Sequence, residues 1–409
     1  MYTREASALD LFTDSVRIMG DATLCAVMEF DRKLDPGVLG DAVLACVLAH
    51  PILHSRLVRG QGPAFWEMVV PVCVPPLHVE ECTENYHPSV VGPVDPYGPL
   101  QCRVRLLRRP SGDVIVINLA HAAADGYGLH TLMSQLLQEY GKPGSIRPSA
   151  GGIPERDTLW TRDFDREGRP VSSDMKVINP MWPDPFGTSD QPTSFHRECI
   201  GPDQLKEIRM RARTLGGNIN DVILAAYFLA MSDLTGHRGP IDIFFPVNLR
   251  QHLNDGSRVM SNQAVNVCIP LECNEGEGIN AILPRVIEET KKLKGRNIGI
   301  SEQVEMDNAC DPEGRSIDLM VQEMATLQKR GLADIFISNP GPITLPYAEG
   351  LTDAYICYPG GYMPTTCFLT STFRGRMTIT MGYQSSKKAK DGTRKAIGLF
   401  KQHLLSFLE

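Results

Sequence analysis

Eleven cysteines occur in the 409 residues, yet no two stand at C-x-x-C spacing and none joins histidines in a zinc-type cluster. The nearest pair, Cys268 and Cys273, falls on or just after an expected strand. No cysteine sits in a visible electropositive niche, so a catalytic thiol is not favoured. The sequence offers no metal ligand set. Also missing is any apolar run of signal-peptide length after Met1-Tyr2-Thr3-Arg4-Glu5. The most apolar stretches, Val38 to Leu53 and Val222 to Met231, are too short to span a bilayer or are broken by Asp41, His50 and Pro51. Basic residues are in deficit, 41 against 48 acidic, and the net charge of -7 argues against nucleic acid, which needs a basic footprint. There is no Gly-x-Ser-x-Gly elbow, no Walker loop, no Gly-x-Gly-x-x-Gly between strand and helix, no internal repeat and no low-complexity tract. These absences point to a cytoplasmic protein with reduced cysteines, no membrane span and no nucleic-acid partner.

What is present is an ordinary globular composition, 42% hydrophobic and 22% charged, over a length that suggests two domains of about 200 residues. Asp35 reads as an N-cap and Pro36 as the first residue of a helix ended by Pro51. Gln101 to Leu107 and Asp113 to Ala120 read as a hairpin across Pro110-Ser111-Gly112. Prolines and glycines then erase periodicity between Gly141 and Thr193. The expected division is a lobe over 1–165, a linker over 166–193 and a second lobe over 194–409. That second lobe reads as strands at Ser194 to Ile200, Ile241 to Phe245, Ala264 to Leu271 and Asp334 to Ile337, and a hairpin of Thr366 to Phe373 with Arg376 to Tyr383. Helices are expected over Pro202 to Leu215, Val222 to Leu234 (capped by Asn220 or Asp221), Ile279 to Leu293 with Pro284 marking a kink or late start, Ser316 to Arg330 and Thr393 to Leu408. Interleaved helices and strands with two hairpins give an α/β class with mixed sheets.

The most informative stretch is His121-Ala122-Ala123-Ala124-Asp125-Gly126. It joins a buried strand, Val114 to Ala120, to an amphipathic helix in which Leu129, Leu132, Met133, Leu136, Leu137 and Tyr140 recur at helical spacing. A strand end presents one imidazole, a carboxylate follows four residues later, and Gly126 serves the turn and close packing. Histidine near neutral pH is the commonest general base. A surface ion pair accounts for the same spacing. His50 and His54, at a helix end entering a strand, read as structural.

This segment resembles the HHxxxDG signature of the CoA-dependent acyltransferase superfamily, which includes condensation domains, chloramphenicol and carnitine acyltransferases, alcohol acyltransferases and wax ester synthases. Only the HxxxDG core matches, because Ala120 replaces the first histidine. The DFGWG motif of the plant acyltransferases is missing. Further landmarks follow in order. Asn220-Asp221-Val222 resembles the start of a wax ester synthase helix, Pro246-Val247-Asn248-Leu249-Arg250 a strand end, Ser261-Asn262 a "GN" site, and Ser338-Asn339-Pro340-Gly341-Pro342 an "SN-PGP" turn. The likeness runs from about Leu9 to the C-terminus.

The resemblance implies a chloramphenicol acetyltransferase-like fold, two similar mixed-sheet lobes forming a V with a tunnel at their interface. It implies His121 as general base and Arg250 as partner of Asp125, so that Asp125 and Gly126 hold the loop and relay no proton. Ser338 and Asn339 are candidates for stabilising the oxyanion or holding the pantetheine arm, an Asx-turn being the other reading. The implied activity is acyl transfer from a CoA or carrier-protein thioester to a small-molecule alcohol or amine, with no metal and no cofactor beyond that co-substrate. A free-standing condensation-type domain and a catalytically silent binding relative are the alternatives.

Overall fold

The computed structural model describes residues 2–72, 77–84, 93–149, 151–154, 193–253, 259–294, 297–329, 335–358, 366–384 and 387–409. The expected linker at 166–193, apart from Thr193, which begins a strand, and the strand start at Asp334 lie outside the described residues. In the first half, β1 (Thr3–Glu5) precedes α1 (Ala8–Ser15) and β2 (Thr23–Phe30). Next come α2 (Pro36–Ala49), β3 (Ser55–Gly60), β4 (Gly62–Met68), β5 (Leu77–Glu81), β6 (Cys102–Arg109), β7 (Gly112–Ala120) and α3 (Gly126–Gly141). Asp35 caps α2 through the amides of Gly37 and Val38, which satisfies two N–H groups that have no partner within the helix. The hairpin β6–β7 closes tightly, Arg109 facing Gly112. A Cβ on Gly112 would lie 2.0 Å from the Phe30 carbonyl oxygen, so only glycine fits there.

The second half contains β8 (Thr193–Ile200), α4 (Pro202–Thr214), α5 (Ile219–Thr235), β9 (Gly239–Asn248), β10 (Ala264–Cys273), α6 (Ile279–Lys294), α7 (Ile300–Ala309) and α8 (Arg315–Lys329). It continues with β11 (Ile335–Pro342), β12 (Leu351–Cys357), β13 (Thr366–Phe373), β14 (Arg376–Gln384) and α9 (Lys387–Ser406). Helix α5 begins a turn earlier than expected. Its cap is Asn218, not Asn220 or Asp221; Asp221 is the acidic residue that reaches back to the Asn218 amide at 2.7 Å. Helix α6 runs through Pro284 without ending. Helix α9 begins at Lys387 instead of Thr393, because its polar first turns carry no apolar periodicity.

Two mixed sheets organise the molecule. One has the order β12-β2-β7-β6-β5 and the other β10-β9-β11-β13-β14-β8, with a small sheet β1-β4-β3 beside them. The sequence pattern gave no place to β12, which leaves the second half to pair antiparallel with β2. It also carries much of the contact between sheets. Ile356 donates its amide to Ser371 Oγ, Thr380 Oγ1 donates to the Ile356 carbonyl, and Arg197 pairs with both Glu29 and Asp353. Apolar residues of α2 and α3 pack on β2, β6 and β7 to make one core, and α5, α6 and α9 cover the six-stranded sheet to make the other. No described helix is long and apolar enough to cross a membrane.

Candidate active site

Strand β7 is buried at all nine positions, so its end is a rigid mount for whatever follows. His121 follows directly, and its amide donates to the Ala22 carbonyl at 3.2 Å, extending the pairing with β2 by one step. Ala122, Ala123 and Ala124 are buried small residues that let the loop turn inside the core. Asp125 then caps α3, its Oδ1 accepting from the Gly128 amide at 3.1 Å.

The second carboxylate oxygen leaves the first half of the chain. Asp125 Oδ2 accepts from Arg250 Nη1 at 2.7 Å and from the Gln263 amide at 2.8 Å. Arg250 also donates to the Ser261 carbonyl at 2.8 Å and to Asn248 Oδ1 at 3.3 Å, and its guanidinium lies 4.5 Å from the centre of the Tyr127 ring. Both charged groups are nearly sealed from solvent, with side-chain exposure of 4% and 2%. A buried pair is tolerated only when the remaining polar atoms find partners, and here most of them do. The carboxylate accepts from donors on three sides.

Asn262, beside Gln263, is the residue that touches the imidazole. His121 Nδ1 and Asn262 Oδ1 are 3.2 Å apart, while Asn262 Nδ2 donates to the carbonyls of His121 at 2.7 Å and Ala122 at 2.9 Å. Behind it lies Asp10 of α1, fully buried, which takes a 3.3 Å hydrogen bond from Asn262 Nδ2. Asp10 Oδ2 in turn accepts from Arg4, Trp66 and the Ser7 amide. Burial lowers the pKa of His121, opposed by hydrogen bonding of the ring to carbonyls of His121 and Ala124, by the charge of Asp125 and by Asn262. The ring is therefore neutral near pH 7, the state a general base needs.

The glycine requirement falls on a different residue from the one the motif singles out. A Cβ on Gly126 would meet nothing nearer than Pro340 Cβ at 3.9 Å, an ordinary contact. A Cβ on Gly128 would lie 2.7 Å from Ala124 Cβ and 3.3 Å from Met260 Cγ. Gly126 is the first residue of α3, and Gly128 is where the loop packs tightly.

Ser338 and Asn339 lie on β11, where the register with β13 shifts between Ser338 and Gly341. The same segment brings Pro340 toward Gly126. Asn339 Nδ2 donates to Asn220 Oδ1 at 2.5 Å and Asn339 Oδ1 accepts from the Gly341 amide, so its amide braces the start of α5 and turns the strand. None of these bonds reaches His121 or Asp125. His50 bonds Gln135, and His54 is buried against the Val69 carbonyl; both hold structure. Thr370, Ser371 and Thr372 are buried along β13. A cavity of about 370 Å³ lined by Arg56, Glu67, Met68, Val69, Val70, Tyr97 and Pro99 includes none of the residues around His121.

Sequence patterns missed Asn262 and Asp10 as parts of the site. Asn262 stood in the Ser261-Asn262 landmark, and its burial is the signal that separates it from a loop asparagine. Asp10 reads locally as the acid of a helix cap, which it also is.

Neither a protein-family model nor a curated protein sequence matches the chain. Solved structures do. Polyketide synthase associated protein 5 from Mycobacterium tuberculosis aligns with a TM-score of 0.66 at 16% identity, over 98% of each chain. Trichothecene 15-O-acetyltransferase from Fusarium sporotrichioides aligns with a TM-score of 0.70 at 11% identity, over 99% of this chain and 95% of the other. The condensation domain of the monacolin K polyketide synthase aligns with a TM-score of 0.65 at 13% identity, over 100% and 97%. The chain thus has the chloramphenicol acetyltransferase-like fold, which it shares with this acetyltransferase and this condensation domain.

Proposed function

We propose that this protein transfers an acyl group from a thioester, carried by CoA or by an acyl-carrier protein, to the hydroxyl or amine of a small-molecule acceptor. The observation that carries the reading is an imidazole, its pKa lowered by burial, fixed at the end of a buried strand on a loop pinned by the Asp125–Arg250 pair. His121 takes the proton of the acceptor as its oxygen or nitrogen attacks the thioester carbonyl. The carbonyl π electrons move onto oxygen, giving a tetrahedral oxyanion. As that oxyanion collapses, the carbon–sulfur bond breaks and the histidine returns its proton to the departing thiolate. Acid–base exchange and charge stabilisation suffice for this sequence, so the thioester is the sole co-substrate it requires. Asp125 and Gly126 keep the loop in place, with Arg250 as the counter-ion. Ser338, near the β11 bulge, is the candidate oxyanion or pantetheine donor, whereas the amide of Asn339 is engaged with Asn220.

The test is thiol release from a panel of acyl-CoAs with hydroxyl and amine acceptors, comparing wild type with His121→Ala. The variant is expected to fold and to lose roughly 100-fold or more in kcat, the scale of general-base loss. Undiminished release by the variant would remove His121 from the mechanism. No release by wild type from any thioester, free or carrier-bound, would favour a silent binding relative.

A further inference from the structure

We propose that the helix-free face of the six-stranded sheet, paved by Phe244 and Phe336, is the bed for the acyl chain of the donor and selects a chain of medium length. The proposal rests on the acyl-transfer reading above and goes beyond it, because that reading is satisfied by any acyl group.

Strand alternation sorts the side chains of this sheet onto two faces. Ile243 of β9, Ile269 of β10, Ile335 and Ile337 of β11 and Phe368 of β13 belong to the core beneath α5, α6 and α9. Phe244, Cys268, Phe336 and Cys367 alternate with them and point the other way. Register sets these four in one row: Phe244 pairs with Cys268 on one side and Phe336 on the other, and Phe336 pairs with Cys367. Leu369 and Phe373, further along β13 on the same face, pack into the core of the first half. Phe244 and Phe336 enter neither of the two large cores and are partly exposed. Two adjacent phenylalanine rings outside a core form an apolar surface that gains by being covered.

The ends of these strands tie the surface to the chemistry. Strand β9 runs into Arg250, the partner of Asp125, and β10 begins just after Asn262, which touches His121. Strand β11 carries Ser338 and brings Pro340 toward Gly126. Ser338 lies on the same face as Phe336, two residues and about 7 Å further along the strand. With Ser338 as donor to the thioester carbonyl, the acyl carbons run back over the rings, away from the catalytic loop. A pantetheine arm carries amides that would lose their hydrogen bonds over such a surface, whereas methylenes lose nothing polar. The bed has a far end. Asp242, paired with Pro270, stands on the same face two residues before Phe244. Four residues of strand, about 13 Å, then separate the carbonyl from a carboxylate, and at about 1.5 Å per carbon–carbon bond that span holds roughly eight to ten carbons. Acetyl is too short to reach the rings, and a longer chain must cover the charge.

The test is titration calorimetry of the full chain with S-acetyl-, S-octanoyl- and S-dodecanoyl-pantetheine, the fragment that CoA and carrier-protein donors share. A buried methylene contributes up to about fourfold in affinity, so wild type should bind the octanoyl thioester at least tenfold tighter than the acetyl one. The dodecanoyl thioester should bind no tighter than the octanoyl. Phe336→Ala removes half of the paving and should flatten this dependence on length. Phe336→Trp fills the bed and should weaken octanoyl binding about tenfold more than acetyl binding. Because the ring lies outside the large cores, both variants should fold, and each comparison of chains is made within one protein. Equal affinity for acetyl and octanoyl thioesters in wild type, or binding of none of them, overturns the proposal. A wild-type dependence on length in both Phe336 variants overturns it too, by taking the acyl chain off these rings. These are binding measurements and need no turnover. Full thiol release by His121→Ala would withdraw the base without touching them, and a flat response in wild type would leave the base standing.

Discussion

Arg250 Nη1 meets Asp125 Oδ2 at 2.7 Å across 125 residues of sequence, and neither group has more than a few per cent of its surface in water. The loop that presents His121 is therefore held by a residue in the short turn that follows β9 of the other large sheet. Removing one member leaves a buried charge without its counter-ion, a loss of about 3–5 kcal/mol. Asp125→Asn and Arg250→Met should each lower the denaturant midpoint and the activity together. The double variant should be less destabilised than the sum of the singles, since the second change removes a group already unpaired. A double-mutant cycle without coupling would refute the pairing.

The two glycines of the loop should respond differently to the same added methyl group. Gly128→Ala forces a Cβ to within 2.7 Å of Ala124 and should cost about 1–3 kcal/mol, with a loss of activity as the loop shifts. Gly126→Ala meets only ordinary contacts at the first position of a helix and should stay within about 0.5 kcal/mol of wild type. Thermal unfolding of both variants checks this. Equal destabilisation would contradict the packing described for α3.

The pH dependence follows from burial of the imidazoles. Burial lowers the pKa of His121, and the same cause acts on His50 and His130. In the mechanism the neutral ring is active, so kcat should rise with pH on a limb centred below the ordinary histidine value of about 6.5. For stability the sign runs the same way. The unfolded chain takes up protons at these rings before the native protein does, so stability is complete above about pH 6.5 and falls as pH is lowered through that value. Urea midpoints from about pH 7.5 down to about pH 5.5, above the range where carboxylates dominate, measure the fall. A midpoint that rises on acidification would show that the rings gain, and do not lose, proton affinity on folding.

The thiols give a further check. No disulfide joins the ten described cysteines, and burial pushes Cys46, Cys102, Cys273 and Cys367 up to about 12. Thiolate is the reactive form, so these four should react slowly with a disulfide reagent in the native protein at neutral pH. In denaturant all eleven should titrate. A shortfall in denaturant would reveal a disulfide.

Features fixed by neighbours in sequence were legible before the structure. The Asp35 cap, the β6–β7 hairpin and the strand that ends at His121 each depend on a few adjacent residues, and each is where the pattern put it. The start of α5 slipped because its cap is Asn218, neither Asn220 nor Asp221, with Asp221 bonding back to the Asn218 amide. The contacts that matter most to the site join distant segments. Nothing in Ser261-Asn262 says that its amide meets His121, and nothing in Asp10 says that its second oxygen faces that amide. Burial of a polar side chain marks such residues, and burial is a property of the folded chain.

The placement of β12 bears on how the molecule is made. Thr352 Oγ1 donates to the Glu29 carbonyl, 323 residues earlier, in a pairing that covers the outer side of β2. During synthesis β2 and β7 emerge early, yet that side of β2 stays open until β12 has left the ribosome. An unpaired apolar strand edge is a template for association with other chains. The nascent protein therefore carries an adhesive margin until β12 is made, and the first sheet closes only after four strands of the second, β8 to β11, have emerged.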